Sequence, residues 1–432
     1  ALDREDGTND STLFFPPVFG GPIDGSYRID RTTGAALVDF TGQRGGFVYE
    51  ASARVDVPED FGTEISPRAG VRYRFGEHGP RLTEIAPGYS RGHQLLGNFL
   101  LLQEDYGDGL AALKRATQLD PNNGAALNLL GYAALQQGDA EGAVAAFNDY
   151  VRVLPREPNS HDSLGEALLA AGRFKEAEAA FQQAVTLSPQ FWSGHQGIAM
   201  VRFYAGDLAG ARDAWTRAKT AATRTGDKMD VDADMAAAAV ARGNTVEALR
   251  LLEAAAKTDG AVRAQVAANS VLQAQTYIVA GHGRKALEVI DVVMKAVQSG
   301  QLPPGPTRNV GRNALRARVA AQAQLKDLAG VRETSAALDK DAASHVNEVL
   351  ARDAMHFGRG ELAVASGDFP GARSHFDQCS RNDQWCKWHG LMAAEKASDK
   401  AGAAAAREAL LKLYARSQVH MIVRSRLTKT GS

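Results

Sequence analysis

The sequence predicts a mainly α-helical protein, an α-solenoid of about nine helix pairs that follows a small N-terminal antiparallel β segment. Three observations support this fold class. Residue types recur at a step of 34 positions from residue 90 onward, the chain is rich in alanine with only 7% aromatic residues, and the first 88 residues alternate in short runs broken by glycine and proline. We therefore expect one extended stack of helices preceded by a smaller, separate β-rich segment.

The first 88 residues divide into an arm and a β-rich domain. Residues 1–25 are rich in proline and glycine and predict an extended arm that becomes ordered when it docks on another surface. Residues 26–88 are the predicted β-rich domain, in which 26–40, 46–57 and 70–75 alternate apolar and polar side chains. About four such strands predict a small antiparallel sheet whose apolar face needs a cover.

The 34-residue step defines three regular units between residues 90 and 191. Each column of the repeat keeps one residue or one kind of residue at the same position of the unit. Such a register over several columns is the signature of a repeat architecture. The columns are Leu96, Leu130 and Leu164; Gly97, Gly131 and Gly165; Leu113, Phe147 and Phe181; Ala116, Tyr150 and Ala184; and Pro121, Pro155 and Pro189.

Each unit has the pattern of two helices. In the second unit, residues 126–137 and 140–154 each carry apolar side chains at three- and four-residue spacing, which predicts one buried stripe on each helix. Gly131 has no side chain where the helices are expected to cross, so it permits a close approach. Gly138 provides the turn, and Pro155 ends the second helix because a proline disfavours helical ψ in the residue before it.

These units resemble the tetratricopeptide repeat family. The resemblance implies a right-handed stack of regular repeats over residues 89–224, followed by degenerate helix pairs over residues 225–432 with a loop near residues 299–310. The residues that carry it in the first unit are His93, Leu96, Gly97, Leu100, Leu113, Ala116 and Pro121.

Proteins of this family usually bind peptides or protein segments on the concave face, which the first helix of each pair lines. Amides on this face can bond an extended backbone, and aromatic side chains offer apolar contact. The resemblance therefore implies a non-catalytic scaffold with a protein or peptide partner. Two alternatives stay open, namely a fixed subunit of a larger assembly docked through its N-terminal arm, and an accessory subunit of an enzyme complex. The expected concave-face residues are Gln94, Asn98, Asn128, Tyr132, Asp162, Glu166, Gln196, Met200 and Phe203.

One specialised site of the family is not expected. Chaperone adaptors of this kind hold a terminal carboxylate with a clamp of basic and amide side chains. Here Gln94 stands where a lysine belongs, Leu129 replaces an asparagine, and Asn159 and Ser163 replace basic residues. A carboxylate clamp is therefore not predicted.

Composition argues against several classes of function. The formal net charge is −1, which provides no basic field for nucleic acid. No stretch approaches 18 consecutive apolar residues, so we expect no membrane span. The sequence leaves the oligomeric state open.

Catalytic and metal-binding motifs are not recognisable either. A phosphate-binding loop, a paired-histidine zinc motif and a serine nucleophile elbow are all missing from the sequence. The run Asp230, Asp232 and Asp234 is similar to the start of a calcium loop, but Met235 and Ala241 stand where glycine and glutamate are required. We predict no enzyme activity, no cofactor and no metal site.

The C-terminal segment is basic. Arg407, Lys412, Arg416, Arg424 and Arg426 are followed by Lys429, with Glu408 as the one acidic residue among them. This pattern predicts a solvated tail or, alternatively, a segment that meets an acidic partner surface.

Two cysteines, Cys379 and Cys386, lie close together in the sequence. In an exported protein they would form a disulfide, whereas a cytoplasmic protein would keep them reduced. The sequence starts at Ala1, as it would after removal of a signal peptide. We therefore expect a periplasmic or secreted protein of bacterial type with a Cys379–Cys386 disulfide, and a cytoplasmic location is the alternative.

Overall fold

The structure is a computed structural model that describes the backbone in ranges separated by short gaps. The predicted arm, residues 1–25, lies mostly outside the described residues. The described ranges are 7–13, 23–29, 33–44, 47–58, 64–73, 81–83, 90–102, 106–300, 302, 304–346, 348–380 and 383–428.

The N-terminal part of the chain contains six described strands in two antiparallel sheets. One sheet pairs β1 with β2, and the other has the strand order β3-β4-β5-β6. Strand β1 falls within the segment predicted as an arm, and the last four strands fall within the predicted β-rich domain. The strands are β1 Gly7–Leu13, β2 Ile23–Ile29, β3 Thr33–Arg44, β4 Phe47–Pro58, β5 Glu64–Tyr73 and β6 Arg81–Thr83.

Nineteen helices make up the rest of the described chain. The first eight are α1 Ser90–Leu102, α2 Tyr106–Leu119, α3 Gly124–Gln136, α4 Ala140–Val153, α5 Pro158–Ala170, α6 Phe174–Leu187, α7 Trp192–Ala205 and α8 Leu208–Ala221. The others are α9 Thr225–Ala241, α10 Thr245–Ala256, α11 Arg263–Val279, α12 Gly283–Gln298, α13 Pro304–Gln324, α14 Leu328–Ser344, α15 Val349–Ala365, α16 Phe369–Asp377, α17 Gln384–Lys396, α18 Lys400–Lys412 and α19 Gln418–Thr428.

The helices pack in sequential pairs. From α3 to α18 each odd-numbered helix packs on the even-numbered helix that follows it, and each pair contacts the next. Together with α1 and α2, which occupy the sequence position of a first pair, the described helices agree with the prediction of about nine pairs. The final helix, α19, was not predicted and follows the last pair.

The close approach predicted at the repeat glycines is confirmed. A Cβ atom added at Gly131 would lie 2.5 Å from Cε1 of Phe147, and one at Gly165 would lie 2.7 Å from Cδ1 of Phe181. Gly360 meets Phe376 at 2.5 Å in the same way, although these residues belong to a unit that departs from the repeat pattern. The glycine–phenylalanine contact therefore maintains pair geometry beyond the regular units.

The turn between paired helices also follows the prediction. Gly138 has φ of 73°, a left-handed conformation that glycine adopts without strain. Asp139 then accepts a hydrogen bond from the backbone N–H of Gly142 and caps the N-terminus of α4. Helix α4 ends at Val153, shortly before Pro155, as the proline requires.

The loop predicted near residues 299–310 is wrong in its length. Helix α13 already begins at Pro304, so only the residues from Ser299 to 303 connect it to α12. Proline is favourable in the first turn of a helix because its fixed φ is helical and its missing N–H has no partner there. The prolines in this stretch therefore start a helix that was predicted to begin later.

The buried apolar side chains form two clusters. The first is built mainly from α3 to α10, and the second mainly from α11 to α18. Helix α19 contributes Met421 and Ile422 to the first cluster and Val423 and Leu427 to the second. It packs on α9, α11, α17 and α18, so one short helix joins the two halves of the stack.

The chain divides into two compact units. One comprises residues 1–96 and 115–121, and the other comprises residues 97–114 and 122–432. Apart from Gln94, which belongs to the first unit, the residues described below belong to the second unit. In the part of the chain that the structure describes, no helix combines the length and apolarity that a membrane crossing requires.

Candidate partner-binding surface

The predicted concave-face residues of the first units have different surroundings. Gln94 and Asn98 are half-buried on α1. The Asn128 side-chain oxygen accepts a hydrogen bond from Ser163 Oγ at 3.3 Å, and Ser163 Oγ also lies 3.2 Å from the hydroxyl of Tyr132. Asn128 and Tyr132 are thus joined to α5 through one hydroxyl group.

Asp162, Glu166 and Gln196 lie together and bind an arginine of the chain itself. Arg416 Nη1 donates to Glu166 at 2.6 Å and to Asp162 at 3.3 Å. Its Nη2 donates to Gln196 Oε1 at 2.5 Å and to Ser193 Oγ at 3.0 Å. Only 15% of the Arg416 side chain is exposed, so this is a buried ion-pair cluster that joins α5 and α7 to the C-terminal segment.

Burial and charge oppose each other in this cluster. Burial raises the pKa of Asp162 and of Glu166, and the charge of Arg416 lowers both. Burial lowers the pKa of Arg416, but the charges of Glu166 and Asp162 outweigh it and raise that pKa above its ordinary value. The carboxylates and the guanidinium therefore stabilise one another in their charged forms.

The residues next to Arg416 extend the contact along the inner helices. The Tyr204 hydroxyl donates to the backbone carbonyl of Ala415 at 2.6 Å. The ring of Tyr414 makes edge contacts with Phe174 at 4.9 Å and with Tyr204 at 5.5 Å between centroids. The helices thus contact both the backbone and the side chains of this stretch, as they would contact a bound peptide.

A third polar contact is made by Gln418. Its amide nitrogen donates to Asp234 Oδ1 at 2.7 Å, while the other oxygen of Asp234 accepts from Gln196 Nε2 at 2.7 Å. Burial raises the pKa of Asp234 to about 6, although these amide hydrogen bonds and Arg416 counteract it. The C-terminal segment, residues 413–428, is therefore held at α5, α7 and α9 by one continuous set of hydrogen bonds.

The C-terminal segment is a permanent part of the fold. Met421, Ile422 and Val423 are fully buried in α19. Burying a side chain of this size contributes about 1.5–3 kcal/mol, so releasing the helix would cost several such contributions. The prediction of a solvated basic tail is wrong for Arg416, and the acidic surface that it meets belongs to its own chain.

Met200 and Phe203 face the core. Met200 is 1% exposed and belongs to the first apolar cluster. The ring of Phe203 lies 5.4 Å from that of Tyr204 and 6.2 Å from that of Trp215. Met200 therefore offers no free apolar contact on an open surface, whereas Phe203 is only partly buried against this cluster. The helical period placed Met200 on the inner face, but neighbouring helices cover that position.

The open part of the inner face lies further along the chain. A cavity of about 460 Å³ is lined chiefly by the odd-numbered helices α9, α11, α13, α15 and α17, the first helices of their pairs. Residues from α3 and from the C-terminal segment complete the wall. The polar lining residues are Tyr106, Gln136, Asp230, Gln265, Asn269, Gln275, Asn313, Arg316, Asp353, Ser380, Asp383, Gln384, Ser417 and Gln418.

This cavity could not be predicted from the sequence. Its residues come from degenerate units, where the repeat pattern is too weak to fix which positions face inward. Asp230 was considered only as part of a failed calcium motif, and the structure places it in α9 on the cavity wall. The one available signal was the unusual number of amide and acidic residues on the first helices of these pairs.

The two cysteines lie beside the same cavity. Their sulfur atoms are at disulfide distance, and their Cα atoms are 6.4 Å apart. Asp383 lies between them in sequence, accepts from the backbone N–H of Cys386 and forms an ion pair with Arg316 at 2.5 Å. The cysteine pair thus borders the turn that brings Ser380 and Asp383 to the cavity wall.

This arrangement defines a class of protein, the helical-repeat solenoids. Residues 95–160, 158–191 and 230–254 match models of the tetratricopeptide repeat. These stretches contain tetratricopeptide repeats, and proteins built from such repeats are typically non-catalytic. The third match lies in the stretch predicted to be degenerate.

Solved structures with similarity to the chain include other repeat proteins. MamA (residues 41 to the end) from Desulfovibrio magneticus RS-1 is 20% identical, covers 31% of this chain and 75% of its own length, and has a TM-score of 0.29. TTC0263, a thermophilic tetratricopeptide repeat protein of Thermus thermophilus, is 18% identical over 42% of this chain and 98% of its own, with a TM-score of 0.36. No curated protein has a significant match to the chain.

Replacing Arg416 by methionine should destabilise the protein strongly. Asp162 and Glu166 would stay buried without their cation, and breaking a buried ion pair in this way costs about 3–5 kcal/mol. The free energy of unfolding, measured by urea denaturation, should fall by that amount. Lys412→Met is the control, because Lys412 pairs with Glu408 on the exposed face of α18 and its loss should change little. A loss for Arg416→Met no larger than for the control would contradict a buried cluster.

Asp230 should make stability depend on pH. Burial, then the charges of Asp234 and Asp227, raises the pKa of Asp230 to about 7. An unfolded aspartate titrates near a pKa of about 3.9, so the folded state loses stability as the pH rises from that value through 7. Asp230→Asn cannot ionise and should exceed the wild type in free energy of unfolding at pH 8, with little difference near pH 4. Urea denaturation at both pH values checks this. If Asp230→Asn raised the free energy of unfolding only at the lower pH, the pH dependence would have the opposite sign to the one expected.

Proposed function

We propose that the chain is a non-catalytic scaffold that binds a protein or peptide partner on the inner face of a right-handed tetratricopeptide superhelix. One observation carries the proposal. The inner face already holds a non-helical stretch of polypeptide, residues 413–417, through its backbone and side chains, and a cavity of about 460 Å³ continues the same face. The cavity lies within the range of about 300–1,000 Å³ that is common for ligand sites.

The composition of the cavity favours polypeptide over a small apolar ligand. Side-chain amides such as Gln265, Asn269, Gln275 and Asn313 contribute both donors and acceptors. An extended backbone needs both, because each residue presents one N–H and one carbonyl. The sequence placed the partner surface on the first four units, but these hold the C-terminal segment. We therefore place the partner surface on the helices from α9 to α17.

A photo-crosslinking amino acid placed at Gln275 tests the proposal in the native cell extract. We expect it to capture a partner, and a purified partner should bind at least about tenfold more weakly when Asn313→Trp fills the cavity. The control position is Val246, which is 79% exposed on α10, with Val246→Trp as the matched variant. Equal capture at Gln275 and Val246, or tight binding by Asn313→Trp, would overturn the proposal.

The same experiment addresses the alternative of a fixed subunit. An assembly docked through residues 1–25 would be captured by a crosslinker in that arm and would keep its affinity in Asn313→Trp. An enzyme complex would appear as a captured partner with its own catalytic chain. These outcomes separate the three hypotheses by the position that forms the crosslink.

We also propose an extracytoplasmic location with a disulfide between Cys379 and Cys386. The disulfide distance of the sulfur atoms supports this pairing, and both cysteines are buried. A short loop closed by a disulfide gains roughly 2–3 kcal/mol.

The free energy of unfolding should therefore fall by roughly 2–3 kcal/mol when the protein is reduced. Cys379→Ser with Cys386→Ser should lose the same amount and no longer respond to reductant. Intact-mass measurement after alkylation of protein purified from its native source should show no added label without reductant. Two alkylated cysteines in that sample would instead favour reduced thiols and a cytoplasmic location.

A further inference from the structure

The charges of the open cavity are not balanced. Three aspartates, Asp230, Asp353 and Asp383, line it together with one arginine, Arg316. Arg316 forms an ion pair with Asp383, with 2.5 Å between Nη2 and Oδ2, and both side chains are almost fully buried. Neither Asp230 nor Asp353 forms an ion pair with any described residue. The cavity therefore contains two carboxylic groups without a cation of their own.

Asp353 has an unsatisfied oxygen. Its Oδ1 accepts a hydrogen bond from the backbone N–H of Ser380 at 2.8 Å, whereas its Oδ2 has no hydrogen-bond partner among the described residues. The residue is 1% exposed, so water compensates little. A buried polar atom without a partner costs free energy, and a cation seated in the cavity would supply a partner for this oxygen.

Asp230 is in a similar position on α9. Gln265 Nε2 donates to its Oδ1 at 2.6 Å, but the neighbouring charges are the carboxylates Asp227 and Asp234. The charge of Arg224 partly offsets these carboxylates at Asp230, but its guanidinium donates to both oxygens of Asp227. A cation delivered into the cavity would relieve repulsion at Asp230 as well as desolvation at Asp353.

A divalent metal ion does not fit these groups as well as an organic cation does. Calcium needs several oxygen ligands that converge at about 2.3–2.6 Å. In the described chain, the one group of three acidic, cysteine or histidine side chains with ligand atoms within 4.8 Å is Cys379, Asp383 and Cys386. Asp230 and Asp353 are not part of such a group. An ammonium or guanidinium group can use carboxylates that are further apart, because its donors point in several directions.

The inner face already shows how it binds such a group. At α5 and α7, the Arg416 guanidinium is held by two carboxylates and an amide oxygen, those of Asp162, Glu166 and Gln196. The open cavity offers the same kinds of group, namely two carboxyl side chains and several amides, without the arginine. The occupied and the open parts of the face thus share one chemistry.

We propose that the open cavity binds a lysine or arginine side chain of the partner polypeptide, with its cation at Asp353 on the cavity wall that also carries Asp230, and with its neighbouring backbone on the surrounding amides. This inference rests on the proposed function and names the chemical class of the partner segment. The ion pair of Arg316 and Asp383 forms one wall of the site and stays intact on binding.

The test uses blocked pentapeptides of alanine with one central residue, which is lysine, arginine, norleucine or glutamate. Norleucine has a side chain of nearly the shape of lysine without the charge. Binding to the full-length protein is measured by calorimetry and by chemical-shift changes. We expect the lysine and arginine peptides to bind at least about tenfold more tightly than the norleucine peptide, and the glutamate peptide to bind most weakly.

Asp353→Asn keeps the shape of the side chain and removes the charge. It should reduce the affinity for lysine to that for norleucine, while Asp213→Asn, a change at an exposed residue of α8, should leave it unaltered. Asp353→Asn should also remain folded, because the change removes a buried charge that lacks a partner. Unchanged lysine affinity in Asp353→Asn, or equal affinity for lysine and norleucine, would overturn the inference.

These outcomes separate the inference from the function on which it rests. If all four peptides bind equally and Asn313→Trp abolishes binding of each, the cavity is a peptide site that does not select basic residues. If none binds and the crosslinker at Gln275 captures nothing, both the inference and the proposed function fail. A preference for the basic peptides that survives Asn313→Trp would place the binding outside the cavity and reject the inference alone.

Discussion

The buried contact of the C-terminal segment with the inner helices is the interaction on which the rest of the structure depends. A unit of a helical-repeat protein contacts only its neighbours. The curvature of the whole stack is therefore normally the sum of the small rotations between successive units. Here α19 inserts Met421 and Ile422 into one apolar cluster and Val423 into the other, and Arg416 ties the segment to α5 and α7. Helices far apart in sequence are thereby linked by one element that is not a repeat. The inner face is held in shape by its own chain.

This link divides the inner face by charge. At α5 the carboxylates of Asp162 and Glu166 form ion pairs with Arg416. At α9 and α15, Asp230 and Asp353 form no ion pair among the described residues, although both line the open cavity. Burying a carboxylate without a cation is unfavourable, and a stability requirement alone would replace it with an apolar residue. The second region is therefore the part of the face in which a ligand would complete the structure.

The sequence predicted the local geometry well and the long-range contacts poorly. The contact of Gly131 with Phe147 and the turn at Gly138 follow from residues that are about half a repeat apart, and the repeat makes them visible. Arg416 contacts Asp162 across 254 positions, and no periodicity connects them. For the same reason the inner position of Asp162 was predicted, but the arginine that occupies it was not. Met200 shows a further limit, because a helical period cannot tell an inner surface from a position that the next helix covers.

A fixed inner face changes what binding requires. Association loses free energy when loops and side chains must be ordered at the interface, and a preorganised site avoids that part of the cost. Gln418 and Val419 of the C-terminal segment line the open cavity, and the pair of Arg316 and Asp383 holds another part of its wall. Only the partner segment would then become ordered on binding. Because Asp353 is buried, added salt would screen its attraction for a basic side chain less than it screens surface pairs. Recognition at this face would thus depend on the position of one cation more than on the overall charge of the partner.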